Sequence, residues 1–207
     1  AGILGLKAED YFNDKVLNDV NLLHHGMHHV ENDFWESHSN NMESWDENGR
    51  AYYKVTGKDI PNWSPNDCIV SENKELSAIV RSIDGESAVI ELTKDYSQKK
   101  NAVWGIQARN DEQNSALNLL LDPEIDIVTL QGTAGTGKTL MTVAAGLQQV
   151  LDDKRYVEII MTRVTIPVGE DIGFLPGTEE EKMTPWMGAL MDNLEVLHDS
   201  NASTWEK

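Results

Sequence analysis

Cys68 is the single cysteine in 207 residues. That count excludes an internal disulfide framework, and a lone thiol at strand spacing reads as core before nucleophile. Basic residues are also scarce. Lys and Arg together number 17 against 35 Asp and Glu, a formal net charge of −18 shared by both halves of the chain. A field of that sign repels phosphate backbones at long range, which excludes a general basic coat for nucleic acid. Any RNA contact must then be concentrated at a few positions. No apolar run approaches the roughly 18 residues that span a bilayer. These absences predict a cytoplasmic protein without a membrane partner.

What is present changes character along the chain. In residues 3–23 the apolar positions Leu4, Leu6, Tyr11, Phe12, Val16, Val20 and Leu23 recur at three- and four-residue steps, as in a helix. A polar stretch from His24 to Gly49 reads as a loop or irregular insertion. Its His24, His25, His28 and His29 invite a metal reading, against which Gly26 interrupts the segment and no partner ligand is placed. Period-two patterns then predict short strands at Ala51–Val55, Cys68–Val70, Leu76–Ile83 and Ser87–Leu92, with Asp84-Gly85 as a hairpin turn. From Asn110 to Leu121 the pattern is helical and Asp122-Pro123 stops it. Ile125–Leu130 and Tyr156–Met161 are short apolar runs suited to buried parallel strands, and Lys138–Leu151 between them is a helix. Strand, helix, strand is a βαβ unit, so an α/β fold with a parallel sheet is expected.

Between that first strand and its helix lies Gly132-Thr133-Ala134-Gly135-Thr136-Gly137-Lys138-Thr139, which fits G-x-x-x-x-G-K-[ST]. Glycines let such a loop curl until successive backbone N–H groups form an anion nest, and the helix that follows adds its positive dipole end. Lys138 is then placed for the β- and γ-phosphates, and the Thr139 hydroxyl for Mg²⁺. Gln113 lies upstream of the loop, on the helix that precedes the first apolar run. Its amide can pair with the adenine edge, which would favour ATP, or it is a solvated helix-face residue; spacing alone leaves both open. Arg163 ends the second apolar run, where ligand-facing loops lie in parallel sheets, and it either reaches phosphate or RNA or pairs with Glu170 or Asp171. A P-loop enzyme also needs an acidic residue at the tip of a later apolar strand. At about 30 residues per βα unit, the part after Thr139 holds roughly two units, too few for a complete ATPase sheet. Asp192 sits among Trp186, Leu190, Leu194 and Leu197 at helical spacing, so it is placed on a helix. The domain is therefore expected to be truncated, and either end of the chain to be a cut.

Arg109-Asn110 with Glu112-Gln113, the run Leu130–Leu140, and above all Thr162 to Gly177 (TRVTIPVGEDIGFLPG) resemble the PhoH-like ATPase family. So do Glu181-Lys182-Met183, Pro185-Trp186 and Asp192-Asn193. Residues 1–23 look like the tail of the PIN nuclease domain that precedes PhoH in a two-domain subfamily. The resemblance implies a partial RecA-like P-loop NTPase fold over residues 104–207, cut before the acidic Mg²⁺-and-water motif. Residues 24–103 are then an inter-domain connector with a small β-module. It further implies ATP and Mg²⁺ as cofactors, hydrolysis coupled to RNA unwinding and processing, and a homo-oligomer of hexameric form. Val164 departs from the family, which commonly has proline there. By this resemblance Lys138 and Thr139 are the catalytic candidates, Gly132–Thr139 with Gln113 the nucleotide site, Thr139 the Mg²⁺ ligand, and Arg109 and Arg163 the candidate phosphate or RNA contacts.

Two other readings stand beside it. In one, the chain is a non-catalytic nucleotide-binding or assembly module in which ATP is structural. In the other it is a small-molecule kinase, disfavoured because after Arg155 only Arg163 is available for an arginine lid.

Overall fold

The computed structural model describes residues 24–38, 42–162, 188 and 191–198. The helix expected over 3–23, the loop over 167–177, Val164 and Arg163 lie outside them.

Six strands form one sheet: β1 Met27–Val30, β2 Glu43–Glu47, β3 Arg50–Thr56, β4 Cys68–Ser71, β5 Ser77–Asp84 and β6 Ser87–Leu92. Their spatial order is β1-β4-β5-β6-β3-β2. Only β1 and β4 run parallel; every other neighbour is antiparallel. The sequence predicts β3 to β6 within a residue or two of where they lie. Alternation explains this: Ala78, Val80, Ala88 and Ile90 point to one buried face, where they meet Phe34, Val55, Ile60 and Trp63. Cys68 is buried as well, and burial pushes its thiol up, so the structural reading of this residue holds.

Two local expectations are corrected. The polar stretch 24–49 is not a loop, because it contains β1, the short helix α1 Phe34–His38, and β2. Its strands are at the two edges of the sheet, where half-exposed or exposed side chains erase the alternation that betrays buried strands. The signal available for the β2–β3 hairpin is its Asn-Gly turn, a pair that accepts positive φ at both central positions. Asn48 and Gly49 do take positive φ. The β5–β6 turn is shifted by one residue. Asp84 pairs with Ser87, so Gly85 and Glu86 are the loop. Gly85, at positive φ, supplies the first central position of a II′-type turn.

Beyond the sheet come α2, Asp111–Leu121, and α3, Lys138–Leu147, followed by a π-helical turn at Gln148–Asp152. Asn110 caps α2 by accepting from the Gln113 N–H, and Asp111 and Glu112 fill its first turn, where the helix dipole favours acids. A second core joins the two helices through Leu117, Met141, Val143 and Ala144, with Tyr96 and Val103 from the preceding segment. Residues 191–198 are helical; Leu197 is buried in this core and Leu194 packs on it, as the helical spacing around Asp192 predicts.

The parallel P-loop sheet is not present among the described residues. Residues 125–130 and 156–161 are not paired in any strand. Ile127 is 82 % exposed and Val157 96 %. A parallel strand is stable only between neighbours that take up its backbone groups, and no described strand pairs with either segment. Ile159 nonetheless packs on α3, close enough that a Cβ on Gly146 would meet its Cδ1 at 3.0 Å. The observed sheet is therefore the mostly antiparallel one of the β-module. No described helix is long and apolar enough to cross a membrane.

Candidate nucleotide site

Residues 132–139 curl between the extended segment after α2 and the first turn of α3. Gly132, Gly135 and Gly137 have φ of 156°, 80° and 83°. Gly137 is the left-handed N-cap of α3. A side chain at any of the three would strain the backbone, which is why the loop needs glycine there. The Thr136 hydroxyl donates to the Thr133 carbonyl at 3.0 Å. Lys138 lays its ammonium across the loop, donating to the carbonyls of Gly132 at 2.9 Å and Thr133 at 2.6 Å and to Thr136 Oγ1 at 3.1 Å. Thr139 is exposed one residue later, on the first turn of α3. The loop is polar, largely exposed and free of bulky side chains on its glycines.

Gln113 is brought to this loop. Its Nε2 donates to the Thr136 carbonyl at 3.2 Å and its Oε1 accepts from the Arg109 N–H at 2.8 Å. A Cβ on Gly137 would sit 3.6 Å from the same amide. Both ends of the side chain are therefore engaged, one by the loop and one by the backbone just before α2. Arg109 is tied to the site by its backbone, while its side chain is exposed in a recess with Asn110 and Asp111. Among the described residues no carboxylate hydrogen-bonds to residues 132–139.

Residues that the motif does not announce hold this arrangement in place. Asn118 makes a two-way bond with the backbone of Lys94, and Asn114 accepts from the Tyr96 N–H at 2.7 Å, so α2 is strapped to the end of the β-module. At the other end of α2, Asp122 is gripped by Arg81 of β5, which also binds Glu91 of β6 at 2.7 Å. Burial alone would push the Asp122 carboxyl up. The Glu124 N–H and then the guanidinium groups of Arg81 and Arg50 outweigh it and hold the carboxyl below the ordinary range. No sequence signal marks this network, because its members come from four separated segments.

The histidine segment meets an aspartate of the loop before β4. His24 and His28 both place Nε2 on the Asp67 carboxylate, at 2.5 and 2.8 Å, and the Ser64 N–H donates to the same group. His29 and His25 are exposed. Among the described residues, no group of three or more His, Cys, Asp or Glu is arranged to hold a metal.

A glycine loop spanned by its own lysine is shared by many nucleotide-binding proteins, and likeness to known proteins narrows the choice. A family model described as PhoH-like protein matches residues 105–205, from just after Trp104 past the end of the described helix. That segment belongs to the PhoH-like family. The Protein PhoH2 of Bacillus subtilis (strain 168) is 35 % identical over 203 residues, 97 % of this chain and 43 % of its own length. The similarity therefore runs through the β-module as well as the PhoH-like segment. Protein PhoH2 of Thermobispora bispora is 43 % identical over 113 residues, 52 % of this chain and 26 % of its own length. Protein PhoH2 of Mycolicibacterium smegmatis is 46 % identical over 96 residues, 46 % of this chain and 22 % of its own. The chain thus spans less than half the length of each of these PhoH2 relatives. No solved structure matches it.

Proposed function

We propose that this chain is the phosphate-binding part of a PhoH-type ATPase that takes ATP with Mg²⁺. The observation that carries the reading is the conjunction at Thr136: the loop of Gly132–Thr139 is spanned by Lys138 and touched from the side by Gln113. A nest of glycine backbone with a lysine over it suits a triphosphate, and an amide beside the loop suits a purine edge. Thr139 would ligate Mg²⁺, and the metal would neutralise charge on the phosphates. Residues 125–130 and 156–161 would be strands of the P-loop sheet, completed by neighbours of the kind the longer PhoH2 relatives have room for. In the intact protein, hydrolysis would be coupled to RNA unwinding and processing in a cytoplasmic, ring-shaped homo-oligomer, with Arg109 and Arg163 near the RNA or phosphate and residues 1–23 closing a PIN-like domain.

The test is Lys138→Ala in the longer protein that contains this segment. ATP binding, read by calorimetry, should be abolished; unchanged affinity would refute the reading. A second reading starts from the hydrogen bonds of the loop, none of which among the described residues is made to a carboxylate. In it, ATP binds to these 207 residues and stabilises an assembly without being hydrolysed. Multi-turnover phosphate release by the purified chain, lost in Lys138→Ala, would rule that out.

A further inference from the structure

The strand β2 ends the sheet, and among the described residues nothing pairs with its outer side. Its register fixes what that side offers. Glu47 and Arg50 close the Asn48-Gly49 turn, and Trp45 faces Tyr52 and Glu43 faces Lys54 further along. In such a hairpin the closing pair is hydrogen-bonded and the pairs alternate, so Glu43, Trp45 and Glu47 spend their N–H and C=O groups inward. Ser44 and Asp46 point theirs outward. An extended chain laid beside β2 would find donors and acceptors at every second residue.

The side chains around this edge select what would lie there. Trp45 stacks flat on Tyr52, with ring centroids 5.6 Å apart and planes 11° apart, yet remains 39 % exposed. The pair forms one wall of a recess of about 340 Å³ that Glu47, Asn66 and Glu124 also line. Arg81 reaches the recess, but its guanidinium is committed to Glu91 and Asp122. Neither Glu47 nor Glu124 is in an ion pair among the described residues. Two stacked rings with two uncommitted carboxylates beside them suit the cationic end of an arginine or lysine, by cation–π contact and charge together. Glu43 and Asp46 extend the negative charge along the strand. Acidic residues alone would be explained as protection of an edge against aggregation, but that role has no use for an exposed indole at the strand's centre. The same carboxylates disfavour an RNA strand, whose phosphates they would repel.

We infer that β2 is a docking edge for an extended, basic peptide segment of a partner protein, which adds as a seventh strand and places a cationic side chain between the Trp45–Tyr52 pair and Glu47 and Glu124. Backbone pairing would supply much of the affinity and the recess the selectivity, as in other strand-addition complexes.

The probe is a fluorescein-labelled peptide of alternating arginine and valine, added to the whole chain and followed by anisotropy. It should bind, whereas a peptide of alternating glutamate and valine should not. Ser44→Pro removes one outward N–H without changing charge, at a position where proline leaves the β2–β3 ladder intact. It should weaken binding about tenfold, as should Trp45→Ala. Hydrogen exchange in the unmodified chain gives a reading independent of any variant: the peptide should slow the Ser44 and Asp46 amides and leave that of Trp45 unchanged. Failure of the arginine peptide to bind, equal affinity in folded Ser44→Pro, or unslowed amides at Ser44 and Asp46 would each overturn the inference. So would binding of an oligouridylate that depends on Trp45, which would make the pair an RNA platform.

Discussion

Arg81 on β5 donates to Asp122 at the end of α2, so a strand of the β-module holds the helix whose other end presents Gln113 to the P-loop. The Asp122 side chain is 2 % exposed, so its charge depends on the partners it has inside the fold. The β-module and the glycine loop therefore share a mechanical connection through the 11 residues of α2.

Arg81→Met should destabilise the fold by about 3–5 kcal/mol, because it strands a buried carboxylate and does not replace the lost donor. Denaturant unfolding followed by tryptophan fluorescence measures this. A change within a few tenths of a kcal/mol would show that Arg50, 3.8 Å from Asp122, suffices alone.

The same carboxylate sets an acid limit. Its folded value lies below its unfolded one. Its stabilisation is therefore fully present above about pH 4 and is lost as pH falls through the lower folded value. Unfolding midpoints followed downward from neutral pH should fall in this window, and the fall should be shallower in Asp122→Asn. An identical slope in the variant would assign the acid sensitivity to other carboxylates.

Gln113→Ala should lower ATP affinity about tenfold while leaving GTP affinity nearly unchanged, since the amide can read an adenine edge but its loss leaves the glycine nest in place. Competition binding with the two nucleotides distinguishes this from general damage to the loop, which would weaken both equally.

Gly57→Ala should cost about 1–3 kcal/mol through overpacking. The added Cβ would collide with Nε2 of His38 and lie 2.8 Å from Oδ1 of Asp59. His38 cannot easily yield, because its ring stacks on Phe34 at 4.2 Å and bonds to Asp59 at 2.9 Å. Thermal unfolding measures the cost. No shift in midpoint would mean that the 57–59 turn relaxes freely.

The sequence by itself determined whatever depends on neighbours in the chain. The loop at Gly132–Thr139 is legible because its glycines are needed by local backbone conformation. The strands β3 to β6 are legible because alternation records which face is buried, and α2 because Asn110 caps it and Pro123 follows it. Tertiary structure alone decided the rest. It placed Gln113 on Thr136, a contact that spacing does not reveal. It turned His24 and His28 toward Asp67, and it assembled Arg81, Glu91 and Asp122 from distant segments. It also showed that apolar runs such as 156–161 do not become strands by composition alone. A strand is completed by hydrogen bonds to another strand, and the position of that partner is not written in the run itself.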